Sequence, residues 1–107
     1  TDVLMSLVTP QAADDDVLMA RVAARDAEAF RALIDAHAGK AHRIGWRMLG
    51  DVVEAEDVAQ EAMLKLWEQA DRWQAGGAGV GAWLNRVATN LCLDRLRRRR
   101  FASDEEV

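Results

Sequence analysis

Residues 51–69 read DVVEAEDVAQEAMLKLWEQ. Asp51 and Glu54 have the spacing of a capping box, in which side-chain oxygens accept from backbone amides left open by a helix's first turn. Ala55, Val58, Ala59, Ala62, Met63 and Leu66 then recur with the 3.6-residue period of a helix, so one side of this segment seeks a core. The other side carries Asp57, Gln60, Glu61, Leu64 and Glu68. A helix reaching about Gln69 is predicted, with one apolar stripe and one acidic face.

The neighbouring segments repeat the pattern. Asp26 can cap a helix from about Ala27 to Leu49, whose predicted core positions are Phe30, Leu33, Ile34, Ala41, Ile44 and Met48. Gly39 and Gly45 weaken that helix and mark a bend or a close packing contact, and Gly50 ends it. Before it, Asp14, Asp15 and Asp16 supply an N-cap for a short helix over VLMARVAA, and residues 1–13, with the single proline, form a loose lead-in. After it, residues 73–81 (WQAGGAGVG) are a glycine-rich loop. The last helix, Ala82 to Arg100, buries Leu84, Val87, Ala88 and Leu91 and turns Asn85, Arg86, Thr89, Asn90 and Arg97 outward. The tail SDEEV is expected to fray. There are no tyrosines and no sustained period-two alternation, so strands are not expected. The fold class is therefore all-α: a compact bundle of about four helices over residues 14–100, with 101–107 starting a linker.

At 107 residues the chain is long enough for one domain with a modest core. No apolar run approaches the ~20 residues that span a bilayer, and residues 3–8 (VLMSLV) are too short, and lack the basic flank, for an export signal. Cys92 is the only cysteine, which excludes an internal disulfide and fits a reducing, cytoplasmic setting.

Charge is distributed unevenly. The last helix carries six arginines and one aspartate in a chain whose net charge is −4, so the acidic excess lies elsewhere. Arg97, Arg98, Arg99 and Arg100 exceed what offsetting the helix dipole requires, and guanidinium geometry matches phosphate oxygens. Interspersed Asn85, Thr89 and Asn90 add groups able to read base edges, so nucleic acid is the expected polyanion. A membrane surface would need a bulky apolar face that this helix lacks. With a pI near 5.1, long-range repulsion keeps unaided DNA binding weak and implies a larger partner that holds the domain in place.

The acidic face of the central helix is open to an ordinary reading as a solvated surface. Leu64, exposed among acids and an amide, instead has the make-up of a docking surface for a basic helix. Trp46 and Trp67 are expected in the core. Trp73 and Trp83 flank the glycine loop, where they can shape a pocket for an unstacked base. His37 and His42, five apart, do not share a helical face, so no metal site is expected. No nucleophile, base and orienting group assemble, and the glycine loop lacks the Lys-Ser/Thr and preceding strand of a phosphate loop. Neither enzyme chemistry nor a cofactor is expected.

Together, AEDVAQE (55–61) followed by LKLW (64–67), then AWL (82–84), Arg86, Ala88, Asn90 and LDRLRRRR (93–100), resemble region 2 of the extracytoplasmic-function sigma factors, the group IV members of the bacterial sigma-70 family. The resemblance spans roughly Asp15 to Arg100. It implies a transcription initiation factor whose central helix docks on the β′ clamp helices of core RNA polymerase through Asp57, Gln60, Glu61 and Leu64, with Glu68 at the margin. It implies that the last helix and the loop before it recognise and help open the promoter minus-ten element, largely as single-stranded DNA, through Asn85, Arg86, Thr89, Asn90 and Arg97, and loop residues between Gln74 and Gly81. An anti-sigma factor is a further implied partner. The family's second, helix-turn-helix domain is not in this sequence, so a fragment of a longer protein is expected. Two other functions fit the residues alone: a stand-alone helical DNA-binding regulator, which would bind duplex unaided, and a helical adaptor whose arginines meet an acidic protein.

Overall fold

Asp51 caps the central helix as its spacing predicts. In the computed structural model, which describes residues 10–105, one Asp51 carboxylate oxygen accepts from the amides of Val53 (2.8 Å) and Glu54 (3.0 Å). Glu54 does not complete the reciprocal box; its carboxylate is taken by Arg95 and Arg99. The described residues form four α-helices: α1 (Pro10–Ala23), α2 (Ala27–Leu49), α3 (Val52–Glu68) and α4 (Val80–Glu105), with a 3-10 turn at Ala70–Arg72. No strand occurs among them, and the all-α bundle is as expected.

α3 buries Ala55, Val58, Ala59, Ala62, Met63 and Leu66, the full predicted stripe. In α2 the stripe is rotated. Ala29, Leu33, His37, Ala41, Gly45 and Leu49 are buried, at strict four-residue spacing, while Phe30, Ile34, Ile44 and Met48 pack only at the margin. The reason is close approach: a Cβ on Gly45 would lie 2.9 Å from Ala55 Cα, so α2 and α3 cross where neither has bulk. Trp46 is not in the core as expected. It is 53% exposed. Trp67 does pack on the core, tilted against Phe30 at 5.0 Å between ring centroids.

Two apolar clusters result. Met19, Val22, Leu33, Leu66, Val80 and Leu84 form the larger one, where α1, α2, α3 and α4 meet. Ala41, Leu49, Val58, Ala88 and Cys92 form the second, whose small residues let α2, α3 and α4 pack closely.

The ends of the chain depart from expectation. α1 is already helical at Pro10, the first described residue. Asp14, Asp15 and Asp16 therefore lie inside the helix and do not cap it. Residues 10–13 of the expected lead-in are helical, and 1–9, including the apolar stretch 3–8, lie outside the described residues. At the other end α4 continues through Phe101 to Glu105 where fraying was expected, and residues 106–107 lie outside the description. No described helix is long and apolar enough to cross a membrane.

Candidate functional site

The acidic face is built as its periodicity predicts. Asp57, Gln60, Glu61, Leu64 and Glu68 are all exposed along α3, with Leu64 56% accessible. Beside Gln60 and Leu64 runs an apolar groove of about 340 Å³, completed by Phe30, Ile34 and Ala38 of α2 and Ala59 and Met63 of α3. The sequence reading missed this groove because it placed Phe30 and Ile34 in the core; the rotation of α2 that buries His37 and Gly45 leaves them at the groove instead.

The glycine loop is held by α1. Asp16 accepts from Trp73 Nε1 at 2.8 Å and from the Gly76 amide at 2.9 Å. The Gly76 bond, then the indole bond, hold the Asp16 carboxyl below its ordinary pKa. Gly76 and Gly79 have φ of 85° and 97°, values that favour glycine, so the loop's composition follows from its path. Trp73 and Trp83 meet edge to face at 6.4 Å. They line an open cavity of about 390 Å³ with Gln69, Arg72, Gln74, Gly77–Gly79, Ala82 and Arg86. The flanking tryptophans thus do shape a pocket. Nothing in the sequence pattern marked Asp16 as its anchor.

Next to this loop, Asp15 and His37 form a buried pair. The two side chains are 5% and 6% exposed, and the His37 ring Nε2 lies 2.7 Å from an Asp15 oxygen, with the N–H donating. The bond joins α1 to α2 and satisfies two polar groups that would otherwise be buried without partners.

In α4, Asn85, Arg86 and Asn90 are exposed and Thr89 is half-buried. Among the arginines of its second half the structure makes a division that sequence could not. Arg98 and Arg100 are exposed and form no ion pair among the described residues. Arg97 pairs with Asp94 on the surface at 2.7 Å. Arg99, exposed along part of its side chain, donates to the Leu49 carbonyl and to Glu54, so it ties α4 to the α2–α3 corner. Arg95 reaches Glu54 at 3.6 Å from the same side. Cys92 is fully buried beneath them, and burial pushes its thiol pKa up.

A second basic surface was missed. Lys40, Arg43 and Arg47 of α2, with Ile44, face Gly81, Ala82 and Asn85 of α4 across an open cavity of about 380 Å³. Their i, i+3, i+7 spacing was legible, but the arginine run drew the reading toward α4 alone. Among the described residues no group of three or more potential metal ligands occurs.

The sequence is matched by known proteins. Residues 33–102 match the sigma-70 region 2 family, from within α2 to past the arginine run. The chain is 38% identical over 84 residues to the ECF RNA polymerase sigma factor SigW of Bacillus subtilis, covering 77% of this chain and 44% of that protein. It is 41% identical over 86 residues to the ECF RNA polymerase sigma factor SigL of Mycobacterium tuberculosis, covering 78% and 49%. With the ECF RNA polymerase sigma factor SigK of a Mycobacterium species it shares 33% identity over 93 residues, covering 87% and 48%. The chain thus spans about half the length of these curated relatives. Because the family match covers the larger part of the chain, including both the acidic helix and the arginine helix, the chain belongs to the sigma-70 region 2 family.

Proposed function

We propose that this chain is the part of a sigma factor that docks on core RNA polymerase in the cytoplasm and recognises and helps melt the promoter minus-ten element. Residues 10–105 form the helical module, with a linker to any further domain following α4. The relatives are named as RNA polymerase sigma factors, and the function needs binding rather than catalysis.

The observation that carries the reading is the separation of two exposed surfaces. Asp57, Gln60, Glu61, Leu64 and Glu68 stand on α3, free of ion pairs among the described residues, beside an apolar groove. This combination suits a basic partner helix, such as one of the β′ clamp helices: apolar contact supplies affinity and carboxylates supply orientation. Asn85, Arg86, Thr89, Asn90, Arg97, Arg98 and Arg100 stand on α4, whose first turn borders the tryptophan cavity. A base that leaves the duplex loses a few kcal/mol of stacking and pairing. Contact with Trp73 or Trp83 returns about 1–3 kcal/mol, and Arg86 and Arg72 at the rim supply charge for its phosphate. An anti-sigma factor would act by covering either surface.

The test is capture by core RNA polymerase, followed by binding of the captured complex to single-stranded minus-ten DNA. Asp57→Arg and Gln60→Ala should weaken capture without lowering the unfolding temperature. Asn85→Ala and Asn90→Ala should leave capture intact and change base preference. Parent-like capture by both α3 variants would remove the docking assignment. A stand-alone regulator would instead bind duplex DNA tightly with no polymerase present.

A further inference from the structure

We infer that Lys40, Arg43 and Arg47 of α2, facing Asn85 of α4, form a cradle for the sugar–phosphate backbone of a single DNA strand. The inference rests on the reading of the tryptophan cavity as the site of an unstacked base, and adds the surface along which the rest of the strand lies. It starts from the placement of cations that the bundle leaves unneutralised. Arg95 and Arg99 are drawn to Glu54, Arg97 to Asp94 and Arg21 to Asp26. Lys40, Arg43 and Arg47 are exposed, and no carboxylate lies within salt-bridge distance of any of them among the described residues. No acidic residue lines the cavity they share with Asn85. In a chain of net charge −4, three neighbouring cations without counter-charges make a strong local attraction for a polyanion.

Geometry favours a nucleic acid strand over other polyanions. Lys40, Arg43 and Arg47 fall on one face of α2 by their spacing, a linear row suited to successive phosphates. Ala82 lines both this cavity and the tryptophan cavity, so the two adjoin on either side of the first turn of α4. Asn85 stands on the cradle and Arg86 on the tryptophan side, so a strand crossing Ala82 meets cations on both sides of the captured base. An acidic protein segment would satisfy the charges but does not carry a planar ring with every charge, as a DNA strand does for the adjoining indoles.

The test uses the full chain at low ionic strength and a short mixed-sequence single-stranded oligodeoxynucleotide, together with an abasic strand of equal length. The triple variant Lys40→Gln, Arg43→Gln, Arg47→Gln changes only exposed side chains, and its helicity and unfolding temperature should match the parent's. Three phosphate contacts contribute about 2 to the slope of log affinity against log salt for a single strand. The variant's slope should therefore fall by about that amount with both strands, whereas Trp83→Ala should alter discrimination between bases and leave the slope unchanged. A slope equal to the parent's in the triple variant overturns the cradle, while the tryptophan cavity stands or falls separately on the Trp83 result. Absence of single-strand binding by the parent at low ionic strength overturns the cradle, while the tryptophan cavity is judged in the polymerase-captured complex. Equal affinity of the same three residues for polyglutamate would reassign the surface to an acidic protein and likewise overturn the inference.

Discussion

Asp16 joins its own helix to residues 57 and 60 positions further along the chain, and does so with one carboxylate. Each oxygen has a separate task, one facing the Trp73 indole and the other the Gly76 amide. Asp16→Asn retains only one acceptor oxygen, so one of the two bonds is lost. The expected result is faster hydrogen exchange at Gly76 or a shifted Trp73 indole resonance, with global stability little changed. The pH dependence follows from the lowered carboxyl pKa. A depressed folded value means the tie is fully present above the ordinary carboxylate range and is lost as pH falls through the folded value. Loop resonances in the parent should therefore move only below about pH 4, and Asp16→Asn should abolish that acid transition. An acid transition of unchanged size in the variant would assign it to another group. Sequence reading treated the three consecutive aspartates as equivalent caps. Their separate roles depend on partners far along the chain, His37 for Asp15 and Trp73 for Asp16, which no local pattern encodes.

α3 was legible in full because its cap, its apolar period and its polar face all agree. α2 was legible in extent, capped by Asp26 and ended by Gly50, but not in rotation. Counting bulky residues favours Phe30, Ile34 and Ile44; the helix turns instead to place its small residues against α3. This makes Gly45 the test. Gly45→Ala brings a methyl group against the Ala55 backbone, which cannot move aside as a flexible side chain can. The α2–α3 crossing should open at a cost of about 1–3 kcal/mol, read as a shift in the denaturation midpoint. Helix propensity alone would favour the alanine by up to about 1 kcal/mol, so a stabilised variant would show that the crossing yields. Cys92 provides an independent probe of the same packing. Its buried, high-pKa thiol should react with a thiol reagent only at the rate of opening of the α2–α3–α4 cluster, and Gly45→Ala should accelerate that reaction.

For the whole molecule, the contrast between an acidic surface and a basic one was readable from charge and helical period. The allocation of individual arginines was not, since six similar side chains on one helix differ only in what the fold brings near them. Glu54 selects Arg95 and Arg99, leaving Arg86, Arg98 and Arg100 outward. Glu54→Gln should therefore destabilise the bundle by at most about 1 kcal/mol, because Arg95 and Arg99 lose a counter-charge that water already screens in part. It should leave single-strand binding near the parent's. Arg98→Ala should do the reverse, weakening strand binding with no change in unfolding temperature.

The Glu54 contacts also set how motion can pass through the protein. The first turn of α3 is fastened to the distal half of α4, whose opposite end borders the tryptophan cavity. α4 therefore acts as a stiff lever, pinned at one end to the helix that carries the acidic face. Trp83 rides on α4 itself, so the placement of its ring and the seating of α3 against α4 share one rigid element.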